Sequence, residues 1–178
     1  MEHCNVFVGR FQPLTVGHMK CIITSYTENR LKTVLFMIDV PSEKVDEKHP
    51  FPSDMLIDMY KTVVDRSEYL IDIIRIKSAD ILKISEECNR LGYRIASWTC
   101  GTDRQESYGK MIDKYKDKAN LTPTVKLVVL DRLDGVSATM IRDAIYNKDI
   151  DTFANNTPFG YNELIFNSLY EQLIRVLK

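Results

Sequence analysis

Short apolar runs alternate with stretches of helical periodicity along almost the whole chain. The run Val6-Phe7-Val8 predicts a strand over residues 5–8. A helix is predicted over 16–30, with Met19, Ile22, Ile23 and Tyr26 on one face. The continuous apolar run 33–38 suits a strand buried on both faces. Residues 39–52 hold three prolines and mixed charge and read as a loop. Ser53 is placed to cap a helix over 54–66. Strand 69–77 is interrupted by Asp72 and Arg75, which predicts an edge position. A helix over 79–91 is stopped by Gly92. Strand 93–99, a helix-rich stretch over 104–118 weakened by Gly109, and strand 124–130 come next. Ser137 caps a short helix to about residue 147. A final amphipathic helix over 161–177 carries Leu164, Ile165, Leu169, Leu173 and Leu177.

This alternation implies an α/β fold, a doubly wound parallel sheet with helices on both faces. At 178 residues the chain suits one domain, residues 1–178, with a full core. Ligands of such sheets bind beyond the carboxyl ends of the strands. The loops after the first, fourth and fifth strands are therefore expected to meet in one crevice.

Charge and composition narrow the chemistry. The formal net charge is -1, so no general basic field draws in nucleic acid. Phosphate recognition must come from local arginines and backbone amides. No apolar run is long enough for a membrane span, and the first residues show no signal-peptide pattern. Cys4, Cys21, Cys88 and Cys100 include no C-x-x-C pair, which argues against zinc and for reduced, packed thiols in the cytoplasm. No metal-ligand spacing involves His3 or His49, and both read as structural or solvated.

Three segments carry candidate chemistry. In Gly9-Arg10-Phe11-Gln12-Pro13-Leu14-Thr15-Val16-Gly17-His18, a strand passes through a turn into a helix. With Thr15 as the helix cap, His18 is the third residue of the first turn. Free amides and the positive helix end there favour an anion, and Gly17 leaves room for one. In Gly135-Val136-Ser137-Ala138-Thr139-Met140-Ile141-Arg142, Ser137 caps a helix that presents Thr139 and Arg142 on one face. An arginine so early in a helix opposes the macrodipole unless an anion sits nearby. Gly101-Thr102-Asp103-Arg104 comes directly after the fourth strand. There Asp103 offers an acceptor and Arg104 a cation to the same crevice, or Asp103 simply caps the next helix.

Thr15-Val16-Gly17-His18 resembles the [H/T]-x-G-H signature of the nucleotidylyltransferase superfamily. Gly-Arg-Phe-Gln-Pro resembles the nicotinamide mononucleotide (NMN) adenylyltransferase branch, especially its archaeal-like and phage-encoded members. That branch more often has His where this chain has Thr15; threonine is usual in phosphopantetheine adenylyltransferases and cytidylyltransferases. Residues 136–142 resemble the second signature, I-S-x-T-x-x-R, with Val136 for Ile. Gly101 to Arg104 resembles the G-[ST]-D-[RN] loop that lies along the nucleotide. Lys48, before His49-Pro50-Phe51, matches a lysine that contacts the acceptor phosphate or the transferred phosphoryl group, with Lys44 nearby. Leu56 stands where the archaeal-like pattern has an arginine.

The resemblance implies a Rossmann-like five-stranded sheet of order 3-2-1-4-5 with C-terminal helices. It implies attack by an acceptor phosphate on the α-phosphorus of a nucleoside triphosphate, with release of pyrophosphate. ATP and NMN are the preferred pair, giving NAD; CTP, or another phosphorylated acceptor such as phosphopantetheine, is the alternative, and a non-catalytic nucleotide-binding module is a third reading. The nucleotide is expected against Gly9, Arg10, Phe11 and Gly17, against Gly101, Asp103 and Arg104, and against Val136, Ser137 and Thr139. His18, Thr15, Arg142 and Lys48 are the candidate catalytic residues. Arg10, Lys44 and Trp98 are candidates on the acceptor side, with Trp98 stacking on the base or packing in the core. Mg²⁺ is expected on the phosphates, with no dedicated protein metal site. The final helix seals the core or joins subunits.

Overall fold

The computed structural model describes residues 1–130 and 136–178. Five parallel strands form one sheet in the order β3-β2-β1-β4-β5: β1 Glu2–Gly9, β2 Lys32–Ile38, β3 Leu70–Ile76, β4 Tyr93–Gly101 and β5 Leu121–Leu130. Among the described residues seven α-helices accompany them: α1 Val16–Asn29, α2 Ser53–Val64, α3 Ile81–Arg90, α4 Gln105–Tyr115, α5 Ala138–Tyr146, α6 Ile150–Asn156 and α7 Glu163–Leu177. The Rossmann-like α/β fold, its strand order and the C-terminal helices are as expected. Asp72 and Arg75 do lie on an edge strand. No described helix is long and apolar enough to cross a membrane.

The described residues group into two compact units. Residues 1–9, 21–38 and 68–130 form the first; residues 10–20, 39–67 and 136–178 form the second. The first contains the sheet. One face of its central strands presents Cys4, Val6, Val34, Phe36, Ile95 and Trp98 to α3 and α4, which contribute Ile81, Ile84, Cys88, Tyr108 and Ile112. Cys4, Cys88 and Cys100 are buried free thiols. A hydrogen bond to Cys4, then burial, pushes the Cys88 thiol up, which keeps it protonated.

Asn5 points to the other face of β1 and is fully buried. Its Nδ2 donates to Thr33 Oγ1 at 3.0 Å; its Oδ1 accepts from Ser97 Oγ at 2.6 Å and Thr99 Oγ1 at 3.0 Å. Thr33 and Ser97 are the register partners of Asn5 in β2 and β4. A buried amide is tolerated in a strand only when satisfied, and here satisfaction requires this register.

In the second unit, α5 packs against both α6 and α7. Phe153 of α6 meets Phe166 of α7 edge-on, with centroids 5.2 Å apart. The buried stripe of α7 is Phe166, Leu169 and Leu173, whereas Leu164 is 80 % exposed. The stripe is therefore rotated from the one that spacing predicts: Phe166 lines up with Leu169 and Leu173 better than Leu164 does. Helix α6 has one buried side chain, Phe153, in seven residues, too few to show a period in the sequence.

Two local expectations are corrected. Ser53 lies inside α2, after Pro52, and does not cap it. It is buried, its Oγ accepting from the Val40 amide at 2.7 Å and its own amide donating to Val40 O at 2.9 Å. Strand β5 begins at Leu121, ahead of Pro123. An edge strand tolerates a missing donor, so the proline does not delay it.

Candidate active site

The second unit contains the turn from β1 into α1, the loop before α2, and α5. Thr15 stands one residue before α1, and its Oγ1 accepts the His18 amide at 3.3 Å. The Thr15 amide donates to His18 Nδ1 at 3.0 Å. The two bonds form a capping box in which an imidazole occupies the place usually held by Glu or Gln. With Nδ1 as acceptor, the proton of the neutral ring sits on Nε2, which makes Nε2–H the donor His18 presents. The Phe11 ring meets the imidazole edge-on, with centroids 5.0 Å apart and planes at 85°.

Phe11 itself has φ 51°, in the left-handed region. That conformation costs a non-glycine residue about 1–2 kcal/mol and persists where neighbours fix it. Gln12 does much of the fixing. It is 3 % exposed. Its side-chain amide pairs with the Phe51 backbone twice: Nε2 donates to Phe51 O at 2.7 Å, and Oε1 accepts from Phe51 N at 2.9 Å. Its main-chain carbonyl accepts from Arg142 Nη1 at 2.7 Å. One buried residue thus joins the turn, the loop before α2, and α5.

Helix α5 begins as predicted. Ser137 is its N-cap, accepting from the Met140 amide at 3.1 Å. Arg142 Nη2 donates to Thr139 Oγ1 at 3.2 Å, so the same-face pairing of these residues is real. Partial burial works against the Arg142 charge; Asp143, then Asp46, favour it. Gly135, the first residue of that motif, lies outside the described residues.

Lys44 ends a 3-10 turn over Ser42–Lys44, and both Lys44 and Lys48 are exposed. Asp46 Oδ1 accepts the His49 amide at 2.7 Å and lies 3.5 Å from His49 Nδ1. Pro50 O accepts from Gln172 Nε2 of α7 at 3.0 Å. Burial, then the charge of Arg10, pushes the His49 imidazole below the usual histidine value. Asp46 pulls the other way, while Arg142 and Lys48 add to the depression. His49 thus feels three cations, Arg10, Arg142 and Lys48, against one carboxylate. The loop also walls a separate cavity of about 490 Å³, lined by Ser42, Val45, Pro52, Gln172, Arg175 and Val176, with no motif residue in it.

The profile of the cytidylyltransferase-like family matches residues 6–144, most of the chain. The chain belongs to that family. It is accordingly a nucleotidyltransferase. No curated protein matches the sequence significantly. Among solved structures, the Plasmodium falciparum nicotinic acid mononucleotide adenylyltransferase complexed with NaAD is similar at TM-score 0.64 and 14 % identity, covering 96 % of this chain and 98 % of that one. The same enzyme complexed with APC gives TM-score 0.62 at 15 % identity, with the same coverage. A Vibrio parahaemolyticus protein provisionally assigned as a nicotinate-nucleotide adenylyltransferase gives 0.54 at 18 %, covering 98 % and 96 %. At these identities the likeness is one of fold.

Of the other candidate residues of the transferase, Arg10, Gly17 and Val136 lie in the second unit, and Gly9, Trp98, Gly101, Asp103 and Arg104 in the first. Gly9 ends β1. Gly101 ends β4, and Thr102–Arg104 form an exposed 3-10 turn. The Asp103 carboxylate folds back over Gly101, where an added Cβ would lie 2.7 Å from Oδ1. Asp103 does not cap α4, whose N-cap residue is Arg104, without a side-chain bond. Trp98 is fully buried and packs on Tyr108 at 5.7 Å between centroids. Its ring presents no face to a ligand, so of its two expected roles the structure gives it packing. Sequence reasoning missed Gln12 as a junction, His49 beside the arginines, and Tyr60, whose hydroxyl reaches the turn. A periodic pattern shows Tyr60 only as one apolar position of α2, and nothing in the pattern reveals what its hydroxyl touches.

Proposed function

We propose that the transferase moves an adenylyl group from ATP to the phosphate of a pyridine mononucleotide, NMN or its nicotinate counterpart, releasing pyrophosphate. The observation that carries this reading is the Gln12 junction. Its hydrogen bonds fasten Arg142 and Phe51, which follows the Lys48–His49 segment, to the turn that runs into the His18 capping box, all inside a single unit. The acceptor phosphate is ionised at neutral pH and needs no general base. Catalysis then consists of positioning and charge stabilisation.

His18 Nε2–H donates to an oxygen of the α-phosphate as charge builds on it. Thr15 and the first amides of α1 hold the phosphate chain. Ser137, Thr139 and Arg142 take the β- and γ-phosphates and steady the leaving pyrophosphate. Arg10 and Lys48 hold the acceptor phosphate, with Lys44 further along the loop. Gly9, Phe11, Gly17 and Val136 shape the walls, and Gly101, Asp103 and Arg104 serve the ribose side. Among the described residues, no group of three or more His, Cys, Asp or Glu gathers for a metal ion. A Mg²⁺ carried in by phosphate oxygens and water would neutralise phosphate charge.

The test is pyrophosphate release by the purified protein with ATP and CTP, each against NMN, nicotinate mononucleotide, phosphopantetheine and glycerol phosphate. Release with ATP and either pyridine mononucleotide is expected. Release only with CTP would make it a cytidylyltransferase, a reading that Thr15 in the first signature position favours.

His49 makes the proposal pH-dependent in a defined direction. In the free protein burial, then Arg10, Arg142 and Lys48, disfavour its protonation; a bound phosphate dianion screens the cations and favours it. Binding therefore takes up a proton, and the His49 contribution to affinity grows as pH falls through the value in the complex. The stability sign of the free protein is opposite. Its depressed His49 contributes stability above the unfolded value, and this is lost as pH falls through the folded one. Relative to His49→Gln, the wild-type acceptor KM is expected to fall more steeply as the pH is lowered from 8 to 6. Parallel profiles for the two proteins would place His49 away from the phosphate.

A further inference from the structure

Helix α2 buries one narrow stripe, Ser53, Leu56 and Tyr60, at helical spacing. Tyr60 is fully buried, yet its hydroxyl is not an idle polar group. It accepts the Leu14 amide at 2.8 Å and donates to the carbonyl of Phe11. Phe11 and Leu14 are the first and last residues of a four-residue turn. Their carbonyl and amide are the pair that would close an ordinary turn by a direct bond. Here a phenol from another helix is inserted between them.

The insertion matters because the turn leads straight into the capping box. Leu14 is fully buried and adjoins Thr15, whose amide binds His18 Nδ1. Phe11, at the other end, contacts the His18 ring. Both ends of the bridged turn thus reach His18. Burial pushes the Tyr60 phenol far above its ordinary value, so it remains a donor at every working pH. The ring also stacks on Phe159, with centroids 6.0 Å apart and planes within 10°. Stacking holds the ring; the hydroxyl does something separate.

Resting on the adenylyl-transfer reading, we propose that Tyr60 is a positioning residue. Its hydroxyl takes the place of the turn's own closing bond and thereby sets where the capping box holds the His18 imidazole. Direct closure would draw Phe11 O and Leu14 N together and move Thr15 with them. The phenol fixes their separation at one oxygen atom, a spacing no main-chain bond reproduces.

The test compares Tyr60→Phe, which keeps the ring and removes the bridge, with Phe159→Leu, which loosens the stack and keeps the bridge. Each is scored by melting temperature, by kcat for pyrophosphate release, and by the ring nitrogen NMR signals of His18. Tyr60→Phe is expected to lower kcat about tenfold, to move the Nδ1 signal, and to speed hydrogen exchange at the Leu14 amide. Phe159→Leu is expected to lower the melting temperature with kcat within about twofold and His18 signals unmoved. Unchanged His18 signals in Tyr60→Phe, or equal kcat losses in the two variants, would overturn the proposal. Should Tyr60→Phe not fold, exchange of the wild-type Leu14 amide decides: protection like that of the α1 interior supports the bridge, and exchange at the rate of an open loop refutes it. The NMR arm needs no turnover. A wild type without pyrophosphate release therefore defeats the reaction assigned above while leaving the positioning role to be judged separately.

Discussion

His18→Ala is expected to lose about 10²–10³-fold in kcat while ATP affinity stays within about threefold. An imidazole N–H aimed at charge that develops on the α-phosphate helps the transition state more than the ground state, so removal appears in kcat. The substitution also deletes half of the capping box, leaving the Thr15 amide without the acceptor it has at 3.0 Å. Stability should therefore fall by about 1 kcal/mol, or about 3 °C in melting temperature for a chain of this size. The two effects separate in His18→Gln. Glutamine is a natural partner of threonine in a capping box, so the melting temperature should return toward wild type. Its Oε1 then accepts from the Thr15 amide, and its NH2, a donor on a flexible side chain without the imidazole's fixed direction, replaces Nε2–H only in part, so turnover should recover far less than stability does. Thermal melts, ATP titration and steady-state pyrophosphate release on the two variants measure all three quantities. Turnover that recovers in step with melting temperature would mean that His18 serves only to cap the helix.

That pairing of roles explains what the sequence did and did not disclose. The strands and six of the seven described helices come from local patterns that the chain states plainly, such as the unbroken apolar run of β2 and the charged positions of edge strand β3; the strand order came with the family resemblance, and α6 had no pattern to show it. Thr15, Ser137 and the Thr139–Arg142 pair were legible because each acts within four residues of itself, where spacing determines geometry. Gln12 was not, since its partners are Phe51, 39 residues away, and Arg142, 130 residues away. Nor was Tyr60, which reaches Leu14 across 46 residues. His49 has no motif of its own; its character comes from partial burial and from the arginines that folding places within electrostatic reach. Trp98, the sole tryptophan, invited a ligand role, and the sheet packing of β4 against α3 and α4 absorbed it instead.

Arg142→Ala is expected to cut kcat/KM for the triphosphate by about 10³-fold, a loss of about 4 kcal/mol of transition-state stabilisation. The guanidinium has two tasks. Nη1 holds the Gln12 carbonyl at 2.7 Å and Nη2 the Thr139 hydroxyl at 3.2 Å, which uses two of its five donors to fix its plane. The fixed plane can then bring further N–H groups to the β- and γ-phosphates as a fork. Alanine removes the phosphate contact and leaves the buried Gln12 carbonyl unpaired, so the turn carrying Thr15 and His18 loosens as well. Lysine restores the charge but cannot bridge Gln12 and phosphate with one planar group, so Arg142→Lys should regain no more than about tenfold. Inhibition by added pyrophosphate supplies the decisive measurement, because a contact to the leaving group must weaken product binding along with catalysis. Wild-type pyrophosphate inhibition in Arg142→Ala, combined with a raised KM for the acceptor, would move Arg142 from the leaving-group side of the reaction to the acceptor side.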